Sequence, residues 1–141
     1  MQSANSAERP KSRLLAMDDN TDSAELIARV ATKCGYEARA IADARALRRM
    51  LAEWKPEVLT LDLCMPDEDG INLLSLLEES GFDGQLVIIS GQDTWFRQAA
   101  GRLAALKGLK VALDFGKPVD LKALRDTLTA LQNGNATRKA G

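Results

Sequence analysis

The chain contains no histidine among its 141 residues. That absence removes Ser-His-Asp and Cys-His catalysis, histidine general bases and histidine-ligated zinc together. The two cysteines, Cys34 and Cys64, are too few for a secreted disulfide framework. Charge of one sign is also missing. Nineteen basic and 20 acidic residues leave a formal charge of -1, which argues against a strongly cationic nucleic-acid binder. No apolar run approaches the roughly 20 residues that span a bilayer. The polar start, MQSANSAERPKSR, has no apolar segment of the secretory kind. Cytoplasmic location is the default expectation, with no membrane and no nucleic acid as partner. Neither a G-x-G-x-x-G nor a P-loop pattern occurs, so a nucleotide-binding doubly wound domain is disfavoured.

What is present is ordinary in bulk. Apolar residues make up 45 % and charged residues 28 %, enough for one domain to bury a core without disulfide or metal staples. Residues 1–12 and 133–141 read as flexible tails, which leaves a domain over 13–132. Within it, short apolar runs alternate with amphipathic stretches. The runs are Arg13 to Met17, a weak one from Glu37 to Ile41, Val58 to Leu63, Leu86 to Ile89 and Lys110 to Phe115. The near-continuous apolar character of Val58 to Leu63 suits a parallel strand buried on both faces. Helices are expected between the runs. They carry Leu26, Ile27, Val30 and Ala31; Leu47, Met50, Leu51 and Trp54; Ile71, Leu73, Leu74, Leu76 and Leu77; Trp95 to Leu106; and Leu121, Leu124, Leu128 and Leu131. Gly35 marks a helix end, Asp43 a helix start, and Pro56 a stop. Five strands alternating with five helices predict an α/β fold, a doubly wound parallel sheet covered on both faces.

In such sheets the site lies beyond the carboxyl ends of the strands. Asp18 and Asp19 follow the first strand, Asp62 stands near the end of the third, Ser90 follows the fourth and Lys117 the fifth. Three carboxylates together repel unless a cation neutralises them, and oxygen ligands suit Mg²⁺. A carboxylate can act as a nucleophile toward phosphorus. A lysine ammonium and a serine hydroxyl can hold phosphoryl oxygens. Taken together these groups describe a phosphoryl-transfer site. The competing readings are plainer. Asp18 and Asp19 can be helix caps, Asp62 and Lys117 a structural ion pair, and Ser90 a turn residue. Their mutual consistency favours the site.

On these residues the chain resembles the receiver (CheY-like) domain of two-component response regulators. The resemblance runs from about Arg13 to Gln132. It rests on Asp18-Asp19, on Leu61-Asp62-Leu63-Cys64-Met65-Pro66 with Asp69-Gly70, on Ser90, and on Lys117-Pro118. It implies a flavodoxin-like fold with strand order 2-1-3-4-5. It implies that Asp62 is the phosphoacceptor, that Mg²⁺ is held by Asp18, Asp19, Asp62 and the backbone carbonyl of Cys64, and that Ser90 and Lys117 contact the phosphoryl group. The implied donor is a phosphohistidine on a sensor histidine kinase or a histidine phosphotransfer protein. The implied catalysis is confined to the domain's own phosphorylation and dephosphorylation, so it is not an enzyme in the ordinary sense. The helix-4, strand-5 and helix-5 surface is the one such domains commonly use for partners or homodimers.

Two departures stand out. Many members carry an aromatic three residues before the lysine, coupled to the hydroxyl residue; here that position is Asp114, with Phe115 one place later. A different readout is therefore expected. The stretch from Ser90 to Lys117 is long, and resembles the form seen in receivers joined to cyclic-di-GMP phosphodiesterase (EAL) domains, which makes an EAL-type output domain or protein a candidate partner. Two other functions fit these residues less well. A haloacid-dehalogenase-like phosphatase would need a second Asp two residues after its nucleophile, where this chain has Cys64. A phosphorylation-independent scaffold would more naturally lack one of the five polar groups. Cys64 is expected to be a packed thiol rather than a redox sensor, Trp95 a partly buried anchor of its helix, and Arg45, Arg48 and Arg49 a solvated face. Asp67, Glu68 and Asp69 are expected to serve as turn residues.

Overall fold

A computed structural model describes residues 11–65, 68–91 and 94–140 of the chain. Strands are β1 (Arg13–Met17), β2 (Glu37–Ile41), β3 (Val58–Asp62), β4 (Gln85–Ser90) and β5 (Lys110–Gly116). Helices are α1 (Thr21–Lys33), α2 (Ala44–Glu53), α3 (Gly70–Glu79), α4 (Thr94–Leu106) and α5 (Leu121–Ala140). The strands form one parallel sheet in the order β2-β1-β3-β4-β5, as expected. Beyond β3, Cys64–Met65 pairs antiparallel with Glu68–Asp69 in a two-residue ladder, so the expected turn residues Glu68 and Asp69 lie in a short pairing.

The sheet divides the core in two. On one face Leu15, Met17, Leu59, Leu61, Leu86 and Ile88 pack against α2, α3 and α4. On the other, Leu14, Ala16, Val58, Val87, Ile89 and Phe115 pack against α1 and α5. β3 is buried along its whole length, as a central parallel strand must be.

Local chemistry sets the element ends. Asn20 caps α1 by accepting from the Ser23 N–H at 3.0 Å, and Asp43 caps α2 by accepting from Ala46 N–H at 2.8 Å. Gly35, at φ +100°, turns the chain out of α1 into β2.

The last helix extends to Ala140, over most of the expected tail from 133; Ala136, Arg138, Lys139 and Ala140 are good helix formers and carry it past Gly134. Of the opposite tail, residues 1–10 lie outside the described chain, and β1 begins at Arg13. Some expectations about individual side chains fail. Leu26, Ile71 and Leu121, read as core, are about as exposed as surface residues, because each lies at the edge of its helix's apolar stripe. Trp95 is 71 % exposed and does not anchor α4. It stands in the helix's first turn, while the packed positions of α4 are Ala100 and Ala104. Arg45, Arg48 and Arg49 are exposed as expected.

Strand β5 carries one irregularity. Leu86 pairs with Val111 but Val87 pairs with Leu113, so Ala112 is an extra residue in the ladder. Beyond it the pairing is regular: Asp114 with Ile88, Phe115 with Ile89, Gly116 with Ser90. Partners in a parallel sheet share a face. Asp114 therefore lies on the α4 side, with Ile88, and Phe115 is buried in the core of the α1 and α5 side.

Candidate functional site

The carboxyl ends of β1, β3, β4 and β5 meet at one edge of the sheet. Asp18 follows β1 and is 1 % exposed; Asp62 closes β3 and is also 1 % exposed; Ser90 closes β4 and is fully buried. Asp19 is exposed beside them. One oxygen from each of Asp18, Asp19 and Asp62 falls within a 4.8 Å cluster. Lys117 reaches in from the segment after β5. Its Nζ donates to Asp62 Oδ2 at 2.8 Å and to Asp18 Oδ2 at 3.2 Å.

The backbone explains why these side chains converge. The Leu63 N–H donates to the Ile89 carbonyl, which keeps Asp62 level with the end of β4. The Asp18 N–H donates to the Ile41 carbonyl, continuing the β1–β2 ladder by one residue. Asp18 Oδ1 accepts from the Asn20 N–H at 2.9 Å, which orients the carboxylate and leaves Oδ2 for Lys117. Because Asn20 supplies the cap of α1, the two aspartates before it are not spent on capping. The Lys117–Pro118 peptide bond is cis.

Burial by itself lowers the pKa of the Lys117 ammonium. The hydrogen bond and charge of Asp62, followed by those of Asp18, more than reverse this and hold it above the ordinary lysine value. Three carboxylates and one ammonium leave two uncompensated negative charges at the edge. The donor set is all oxygen. It fits a hard divalent cation such as Mg²⁺, and its residual charge matches one.

All the predicted side chains of the site are thus at one edge. Asp18, Asp19 and Asp62 cluster together, Lys117 bonds Asp18 and Asp62, and Ser90 stands one residue past Ile89, the strand partner of Asp62. Cys64 lies two residues beyond Asp62, its backbone held in the short pairing with Asp69. Its side chain, with those of Glu68 and Asp69, is outside what is described, as is Asp67 altogether.

One contributor was not foreseen. Arg97, on α4, donates through Nη1 to Asp114 Oδ1 at 3.1 Å and through Nη2 to Thr94 Oγ1 at 3.2 Å. Polar residues on α4 look like a solvated face in the sequence. Only the unusual Asp114 hinted that a cation would be needed opposite it.

The architecture and this edge define a flavodoxin-like α/β protein built around a lysine-bridged acidic site. Residues 14–129 match the response regulator receiver domain, and the chain belongs to that family, which acts in two-component signalling. It is similar to the DNA-binding transcriptional regulator NtrC of Azospirillum brasilense, at 27 % identity over 86 % of this chain and 24 % of the relative. It is also similar to the response regulator MprA of Mycobacterium leprae, at 29 % identity over 63 % of this chain and 39 % of the relative. The chain thus spans well under half the length of these curated relatives. Among solved structures, a response regulator from Colwellia psychrerythraea superposes with a TM-score of 0.77 at 32 % identity, covering 87 % of this chain and 98 % of that one.

Proposed function

We propose that this domain accepts a phosphoryl group onto Asp62 from a phosphohistidine on a kinase or phosphotransfer partner, and so switches a protein-binding surface. A carboxylate oxygen of Asp62 forms the new O–P bond as the N–P bond to the donor imidazole breaks. The nitrogen pair returns to the ring, and the product is an acyl phosphate. Lys117 exchanges a carboxylate oxygen for a phosphoryl oxygen, and the Ser90 hydroxyl donates to another. Asp18, Asp19, Asp62 and the Cys64 carbonyl would hold Mg²⁺. Bound there, the ion supplies neutralisation of the charge gathered on the phosphoryl oxygens. The domain catalyses its own modification and its own return, and no separate substrate is turned over.

The observation that carries this reading is the single ammonium of Lys117 shared between two carboxylates that are almost completely buried. A purely structural pair needs one carboxylate. Two, with a third beside them, store negative charge where a cation and a phosphoryl group can use it.

The output is proposed to be a protein contact through α4, β5 and α5, as a partner surface or a homodimer. Trp95 at 71 % and Leu113 at 43 % exposure give that face apolar contact area. An EAL-type partner is supported only by the length of the Ser90–Lys117 stretch, part of which is the extra residue in β5. Among the described residues no helix is long and apolar enough to cross a membrane, which is in keeping with a cytoplasmic location.

The test is intact-protein mass after incubation with acetyl phosphate and Mg²⁺, beside Asp62→Asn and beside a chelator control. One phosphoryl group gained by the wild-type chain, and by neither control, supports the reading. No gain from acetyl phosphate or from a phosphorylated histidine donor, with no Mg²⁺ bound, defeats it.

A further inference from the structure

Asp114 stands where an aromatic ring is expected, and Phe115 points into the opposite core, so a ring cannot relay a signal from Ser90 to α4. A different group occupies that place. The Arg97 guanidinium lies directly over Gly116, where a side-chain carbon would come within 3.4 Å of its Cζ and Nη2. Gly116 is the strand partner of Ser90. The same guanidinium holds Thr94, which follows Ser90 by four residues and opens α4. Arg97 thus touches the chain on both sides of Ser90: the segment that leaves it and the strand that pairs with it.

Its bonding is incomplete. Nη1 and Nη2 are engaged by Asp114 and Thr94, but Nε is buried without a hydrogen-bond partner among the described residues. A buried donor left unpaired weighs against the arrangement that buries it. The ion pair that opposes this is partly exposed, at 17 % for Arg97 and 34 % for Asp114, so it is weak enough to break. The guanidinium is a rigid fork, and it cannot follow Thr94 and keep Asp114 if the two move apart.

We propose that Arg97 is the positioning residue that couples Ser90 to the α4–β5 face. Its pair with Asp114 holds α4 in the unphosphorylated arrangement, and movement of the Ser90 hydroxyl toward a phosphoryl group at Asp62 releases it. This rests on Asp62 being the acceptor. The gain is mutual: whatever loosens the pair favours the phosphorylated arrangement, and phosphorylation loosens the pair.

The chain's two tryptophans give the readout. Trp95 is beside Thr94 in the first turn of α4. Trp54 lies at the far end of the sheet, under the guanidinium groups of Arg13 and Arg39 at 5.6 and 4.6 Å. The full chain, labelled with 5-fluorotryptophan, is titrated with beryllofluoride and Mg²⁺ as a non-hydrolysing phosphoryl mimic and followed by fluorine NMR. In the wild-type chain the Trp95 resonance should move and the Trp54 resonance stay. In Asp114→Asn the Trp95 resonance should start part-way to its bound position, and half-saturation should come at a roughly two- to five-fold lower concentration, the range of a partly exposed ion pair. Arg97→Gln should do the same, and the double variant should gain nothing further. A purely structural pair would lower the melting temperature of each variant while leaving the affinity and the free Trp95 resonance as in wild type. That result, or full additivity in the double variant, overturns the proposal and leaves the Asp62 reading standing. A wild-type chain that does not bind the mimic overturns both.

Discussion

Lys117 Nζ lies 2.8 Å from Asp62 Oδ2 while its neighbour Asp18 Oδ2 lies at 3.2 Å, so one ammonium serves two carboxylates from different strands. Removing it takes the counter-charge from both. Lys117→Met should destabilise the metal-free chain by about 2–3 kcal/mol. This is below the ~3–5 kcal/mol of a fully buried pair, because the lysine is 33 % exposed. The same change raises the uncompensated charge of the edge from two negatives to three, and should strengthen its hold on Mg²⁺. Thermal unfolding in chelator and in Mg²⁺ tests both parts. The variant should lie below wild type in chelator and recover more of its loss in Mg²⁺. Equal melting in chelator would show that the pair contributes nothing.

Alkali should unfold this protein sooner than a chain without these two groups. Lys117 is held above the lysine value of 10.5 by Asp62 and Asp18 against the opposing effect of burial. Tyr36 is raised above 10.0, first by burial and then by the charges of Cys34 and Glu57; its hydroxyl donates to the Leu128 carbonyl at 2.7 Å. In both cases the folded state keeps a proton that the unfolded state gives up. The stability from each is fully present below the unfolded pKa and is lost as pH rises through the folded one. Urea midpoints should therefore hold steady to about pH 9.5 and fall beyond it, less steeply in Tyr36→Phe and in Lys117→Met. A midpoint that stays level or rises between about pH 10 and 11 would contradict the assignment.

Thr60 offers a gain rather than a loss. It is fully buried in β3 between Ala16 and Val87, and its Oγ1 has no hydrogen-bond partner among the described residues. Thr60→Val keeps the β-branched shape and removes the orphaned hydroxyl. The variant should be more stable by about 1 kcal/mol. Denaturant unfolding decides it. A less stable variant would mean that the hydroxyl is satisfied in solution.

The fold was readable because its signals are local and repeated. The apolar run Val58 to Leu63 suited a parallel strand buried on both faces, and Gly35, Asp43 and Pro56 mark element ends by their own backbone chemistry. The acidic edge was readable because each polar residue ends an apolar run, and the topology carries run ends to one place. What escaped was whatever depends on contacts across the fold. Asn20 rather than an aspartate caps α1, which no local rule separates from its neighbours. The exposure of Trp95 follows from its place in the first turn, away from the packed Ala100 and Ala104 positions of α4, and large size alone suggested an anchor. Arg97 has no sequence signature, since its partner Asp114 is 17 residues away.

The extra residue Ala112 acts on everything downstream of it in β5. Side chains alternate between faces, so a one-residue offset exchanges them. Were Ala112 taken into the ladder as the regular partner of Val87, Asp114 would pair with Ile89 and turn to the α1 and α5 side, while Phe115 would come level with Ser90 on the side of α4. The two candidates for the place beside the hydroxyl, a carboxylate and a ring, are thus adjacent in the same strand. Which of them is presented depends on the parity of the residue count ahead of them. Counting back from Lys117, as a column-wise alignment does, finds only a substitution. Counting forward along the ladder finds a bulge that sets what α4 meets.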